Sequence, residues 1–328
     1  MPKKTKSTTK AKRVKTTTDI NVRAAIASGK SAAERAVAVS QKQQRRRTAA
    51  ESKLPTRRRA PGPPRRLPSI TRAFFGTRKY VGVLLAEGDS WFDYPGKDIL
   101  SRLENEHLYD VKSVAHMVDC VEDMAYSDGQ YEEFAARLVK LLGEGKVPRA
   151  ILLSGGGNDI AGDEFAILLN HAASSLPPLN ENIISGVIDI RLKEAYVTIL
   201  SGLTEVAKTY LGKPLPIVIH GYDHPLPDGR GFLGGWWALP GPWLKPGFER
   251  KGYKDFPTNT KLVAELIDRF NRMLASVSAI PAFSHVHYLD LRGTLKQDKK
   301  LWANELHPSD TGFDMVSQKF ADLIKKLA

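Results

Sequence analysis

The sequence predicts an α/β fold, a three-layer α/β/α sandwich built on a mostly parallel five-stranded sheet. Two observations carry this expectation. From about residue 78, five short apolar runs bounded by turn residues read as buried strands, and longer stretches with apolar residues at helical spacing separate them. Strict alternation of this kind calls for parallel strands joined by right-handed crossovers, with helices on both faces and reactive side chains at the carboxyl ends of the strands.

The first strand is expected at 81–86 and runs into Glu87-Gly88-Asp89-Ser90-Trp91-Phe92, which sets a hydroxyl at the sheet edge directly after a glycine able to turn tightly. A helix over 97–106 and a strand at 111–115 follow, the strand leading to Ala115-His116-Met117-Val118-Asp119-Cys120. After a helix over 130–142, a third strand at 150–154 delivers Gly155-Gly156-Gly157-Asn158-Asp159, where the glycines let backbone approach a ligand and the Asn amide can donate to a developing oxyanion. The Lys and the Ser or Thr that would make this turn a phosphate loop are absent.

A helix over 188–210 and a strand at 216–220 lead to a segment, about 221–257, that breaks the alternation. It holds three of the five Trp and eight of the 26 Gly, and a loop of this length in a compact domain tends to be functional. Its aromatics, Phe232, Trp236, Trp237, Trp243, Phe248 and Tyr253, are expected to line a pocket for an apolar group. A helix over 260–277, a strand at 286–290 and a last helix over 311–327 complete the unit. His307 falls in the loop before that last helix, placed to reach back over the sheet edge to Ser90.

Charge divides the chain. Residues 1–68 hold 20 Lys and Arg against Asp19, Glu34 and Glu51, a net of +17; with +13 on the whole chain, the remainder carries −4. So polar a segment is expected to leave 1–77 as a basic, unordered tail that can be removed without loss of chemistry, beside one domain at 78–328. An Ala-rich stretch over 22–44 favours a helix, though a marginal one in isolation. The clusters Arg45-Arg46-Arg47 and Arg57-Arg58-Arg59 suit nonspecific, salt-sensitive contact with a polyanion, either nucleic acid or an anionic membrane. Cys120 is the single cysteine, so no intrachain disulfide forms and a small core residue is expected there. No apolar run has the length of a signal peptide core or a membrane span, which makes a cytoplasmic protein without a transmembrane segment the expectation.

Three blocks in this chain order, Gly88-Asp89-Ser90, Gly155-Gly156-Gly157-Asn158-Asp159 and Asn304-Glu305-Leu306-His307, resemble those of the SGNH (GDSL-type) serine hydrolases over about 250 residues. The resemblance implies a flavodoxin-like strand arrangement, no cofactor or metal, and a small-molecule carboxylic ester as substrate. It implies an acyl-enzyme on Ser90, His307 as general base, and an oxyanion hole formed by Asn158, with Gly157 beside it, and by the second block. The family's glycine in that second block is Val118 here, where a β-branched side chain would crowd the site. The family's aspartate three residues before the histidine is Asn304, so the third catalytic member is Asn304, its neighbour Glu305, or neither, a dyad operating instead.

Two readings of other classes remain. One is an SGNH-fold binding protein that has lost catalysis. The other is a metal-dependent phosphoesterase built on Asp89, Asn158, Asp159 and His307, with His220, His224, His285 and His287 as further imidazoles.

Overall fold

The computed structural model describes residues 6–51, 79–127, 129–232 and 240–327. Its strands, β1 (Gly82–Glu87), β2 (Tyr109–Ser113), β3 (Ala150–Leu153), β4 (Ile217–His220) and β5 (Val286–Leu289), form one all-parallel sheet in the order β2-β1-β3-β4-β5. Each lies within two residues of the run that predicts it. β3 and β4 are buried at every position because helices cover both faces, and this is why they read as unbroken Ile, Leu and Val runs.

The helices are α1 (Lys6–Glu51), α2 (Ile99–Asn105), α3 (Val121–Tyr126), α4 (Gln130–Gly143), α5 (Glu181–Ile184), α6 (Lys193–Leu211), α7 (Lys245–Arg250), α8 (Phe256–Ser278) and α9 (Asp310–Lys326). A π-helical stretch, Ser185–Leu192, joins α5 to α6. α2 packs with α9 in one layer, while α3, α4 and α8 gather around α6 in the other. α9 begins just after His307 because the Ser309 hydroxyl accepts the Gly312 N–H, a cap that contributes about 1 kcal/mol.

Strand order reverses between β1, which pairs outward to β2, and β3, which begins the run to β5; Leu84 faces Val111 on one side and Ala150 on the other. At such a switch point the crossovers leave in opposite directions and a crevice opens at the carboxyl ends of the strands. Ser90 follows β1 and Asn158 follows β3, so both lie at that crevice.

The N-terminal expectation needs correction. Residues 6–51 are a continuous helix rather than an unordered tail, and its middle is seated on the domain through buried Ala25, Ala32, Ala33 and Ala36. The physical reason is close backbone approach. A Cβ added at Gly202 of α6 would come within 2.9 Å of the Gly29 carbonyl oxygen, so only glycine lets the two helices meet there. Docking supplies the stability that an isolated helix of this composition lacks. Removing residues 1–68 would therefore uncover part of α6 as well as delete charge. Residues 52–78, with Arg57-Arg58-Arg59, lie outside the described residues. Among the described residues no helix is long and apolar enough to cross a membrane.

Candidate active site

Gly88 is required where β1 ends, because a Cβ there would sit 2.6 Å from that of Ser154 at the end of β3. The turn that follows is held by the buried Asp89. Its Oδ1 accepts the Trp91 N–H at 3.1 Å and the Ser154 hydroxyl at 2.7 Å, and its Oδ2 accepts the Tyr222 hydroxyl. The result is a rigid base that presents Ser90 outward.

His307 meets that serine. Its Nε2 lies 2.7 Å from Ser90 Oγ, and its Nδ1 lies 2.9 Å from Asn304 Oδ1. Asn304 Oδ1 also accepts the backbone N–H groups of Leu306 and His307, both at 2.9 Å. Since those N–H groups can only donate, the amide oxygen must face them and the imidazole, so Nδ1 carries the proton. The lone pair of Nε2 is then directed at the serine hydroxyl. Asn304 is completely buried, and its Nδ2 donates to Tyr94 Oη at 3.1 Å. The Tyr94 ring lies against the His307 ring, with centroids 4.5 Å apart, and Trp243 meets it edge-on at 5.5 Å. The indole N–H of Trp91 donates to the Leu306 carbonyl at 3.0 Å, tying the serine loop to the histidine loop. Burial holds the His307 pKa down, from the usual 6.5 to about 3, so the imidazole is a neutral base at any ordinary pH.

Glu305 has a different task from the one considered for it. Its carboxylate does not touch His307. It is fully buried and accepts four backbone N–H groups, from Gly229 at 2.9 Å, Trp243 and Leu244 at 2.7 Å each, and Lys245 at 3.1 Å. Burial raises its pKa, an effect opposed by those four donors. Glu305 therefore pins the 221–257 segment, including the start of α7, to the histidine loop. Glu305→Ala would strand buried donors at about 1–3 kcal/mol each. With four donors left, a loss of about 4 kcal/mol or more is expected, read as a melting temperature lower by about 8–16 °C. The pH dependence of the remaining activity should be unchanged; an unaltered melt with a shifted pH profile would instead make Glu305 the partner of His307.

The oxyanion residues are arranged less simply than their spacing implies. Asn158 Nδ2 donates to the carbonyls of Met117 at 3.1 Å and Asp119 at 3.0 Å, so both amide hydrogens hold the second-block loop. The Gly157 N–H is engaged by Tyr222 Oη at 3.2 Å. Val118 is 74% exposed and does not line the cavity beside Ser90, so the crowding expected of it does not arise. The Ser90 N–H has no acceptor among the described residues. Gly156 takes a positive φ of 103°, and a Cβ there would meet the Phe270 ring at 2.5 Å, which explains the glycine run.

Beside Ser90 opens a cavity of about 50 Å³ bordered by Asn158, Ala161, Leu244 and α8. The aromatics expected to line it do other things. Phe248 is buried against Phe165, the Tyr253 hydroxyl donates to the Asn170 carbonyl, and Phe232 packs on Tyr94; Trp236 and Trp237 lie outside the described residues.

The remaining histidines do not converge. His220 Nε2 lies 2.8 Å from Ser154 Oγ, His224 pairs with Asp268, and His285 bonds Thr204. Among the described residues no three of His, Cys, Asp and Glu gather as metal ligands. Asp159 instead caps α3, accepting from the Val121 and Glu122 N–H groups, and burial lifts its pKa to about 6. Cys120 is half-buried rather than in the core, its thiol pushed up to about 12 by burial and neighbouring carboxylates. The Ser154–His220 pair has the spacing of a nucleophile and base, but both residues are completely buried. Sequence reasoning had not singled out Tyr94 or Tyr222, and it took Trp91 only as a neighbour of the serine; all three act through contacts distant in sequence.

No protein-family model matches this chain, and no curated protein matches it in sequence. Solved structures that this chain resembles include a protein assigned as a GDSL-like lipase from Parabacteroides merdae, 13% identical, covering 76% of this chain and 98% of that one at a TM-score of 0.43. Another is assigned as an SGNH hydrolase from Slackia heliotrinireducens, 14% identical, covering 74% and 97% at 0.41. A third is an acetylxylan esterase from Geobacillus stearothermophilus, 14% identical, covering 75% and 95% at 0.38.

Proposed function

We propose that this chain is a carboxylic ester hydrolase of the SGNH type, acting through an acyl-enzyme on Ser90. The observation that carries this reading is the relay Ser90 Oγ, His307 Nε2, His307 Nδ1, Asn304 Oδ1, with steps of 2.7 and 2.9 Å. His307 removes the serine proton as Oγ attacks the ester carbonyl, then gives that proton to the leaving alcohol. It next activates the water that releases the acid. Asn304 fixes the tautomer and orientation of the ring, which a dyad would leave unset. The oxyanion is received by the Ser90 N–H and by Asn158, whose amide turns from the more distant Met117 carbonyl toward the substrate.

A fluorophosphonate probe tests the reading, since it labels only an activated serine. Labelling should map to the peptide containing Ser90 and accompany hydrolysis of a p-nitrophenyl ester. No labelling and no hydrolysis would favour the binding-protein reading. The base must be neutral to act, and His307 protonates only near pH 3, so kcat/KM should stay flat between pH 5 and 8 and fall only in stronger acid. A fall centred near 6.5 would mean that His307 is charged more easily than its burial implies. For the N-terminal helix we propose salt-sensitive polyanion contact, to which its exposed Arg45 and Arg46 would contribute.

A further inference from the structure

We infer that the cavity beside Ser90 is the acyl site, and that it selects a short acyl chain of about three to five carbons. The inference rests on the esterase reading and deepens it.

Direction comes first. An ester bound with its carbonyl carbon on Ser90 Oγ sends out two arms. The alcohol arm must lie against His307 Nε2, which protonates it. The cavity borders Ser90, Asn158 and Leu306, but His307 is not among the residues that form it. The arm entering it is therefore the acyl chain, and the alcohol leaves on the side of Tyr94 and Trp243, which flank the imidazole.

The chemistry of the wall comes next. Its far side is made by Val263, Leu266 and Ile267 on α8, all buried and apolar, with Leu244 closing it from the loop that Glu305 pins. Several polar groups at its edge are already engaged, while the buried Trp302 indole N–H has no partner among the described residues. Asp223 accepts the N–H groups of His224, Gly293 and Leu295, and Asp89 and Tyr222 bond each other. Against the apolar far wall a hydroxyl or amine would give up water that methylenes do not need.

Size sets the length. An apolar cavity of about 150 Å³ accepts benzene, so the 50 Å³ here holds only a few carbons beyond the carbonyl. Each methylene that fits should raise kcat/KM about fourfold, the worth of burying one such group.

The experiment uses p-nitrophenyl acetate, butanoate, octanoate and dodecanoate, with the leaving group held constant, on the full chain. For the wild type, butanoate should exceed acetate by about 15-fold in kcat/KM, with a decline by octanoate and a larger one by dodecanoate. Ala161→Leu, which fills the cavity, should lower the butanoate-to-acetate ratio toward one. Ile267→Ala, which enlarges it, should move the optimum to octanoate; this second variant guards against poor folding of the first. Acetate as the best substrate, or a length profile that neither variant alters, overturns the acyl-site inference while leaving the esterase reading in place. Failure of the wild type to hydrolyse any of the four esters overturns both.

Discussion

Ser90→Ala is expected to reduce ester hydrolysis by about 10⁴-fold or more and to end fluorophosphonate labelling, because among the described residues no other hydroxyl stands at His307 Nε2. Ser154→Ala is the informative companion. Ser154 also lies against a histidine, at 2.8 Å, yet both are sealed below the sheet edge, where they help to hold Asp89. Its loss should keep labelling intact and cost at most about 10-fold in turnover, as for one supporting hydrogen bond. Labelling that survives Ser90→Ala and disappears in Ser154→Ala would transfer the chemistry to the buried pair.

Asn304→Asp carries the second large effect. A carboxylate on Nδ1 would stabilise the imidazolium formed as Ser90 attacks, which the present amide oxygen cannot do to the same degree. A charge-assisted hydrogen bond exceeds a neutral one by about 1–2 kcal/mol, so turnover at pH 8 should rise about 10-fold. The sign of the pH effect is fixed by the same interaction. A negative charge raises the His307 pKa from its value near 3, so the acid limb of the rate profile should move up by two pH units or more. The variant should show its full gain at pH 8 and a smaller one by pH 5. The fold tolerates the change, since Tyr94 can turn its hydroxyl to donate where it now accepts. An unchanged acid limb would mean that residue 304 does not set the base.

The strands were legible because burial on both faces leaves only apolar side chains, and such runs survive as a one-dimensional signal. Ser90 and His307 were legible because strand ends and the loop before a last helix converge in this topology. Glu305 was not. Its position beside Asn304 suggested the imidazole, while its actual partners come from Gly229 and 243–245, a contact that no local spacing records. Asn158 follows β3, but spacing cannot show that both its amide hydrogens already serve the loop at 117–119. The seat of the N-terminal helix is hard to see in composition because the residues it buries fully are alanines, with Val22, Ile26 and Val37 only partly covered.

The small-residue seat of α1 on α6 implies an unusual pattern of tolerance to change. At Gly29 helix backbones meet, and Ala25, Ala32, Ala33 and Ala36 are buried along the same helix, so the limit at these positions is set by volume. Serine should be accepted at the alanine positions, its hydroxyl able to bond its own helix, while valine or leucine, though more apolar, should be rejected. Variation along this helix would then look like that of a surface to any hydropathy measure and like that of a core to any measure of size.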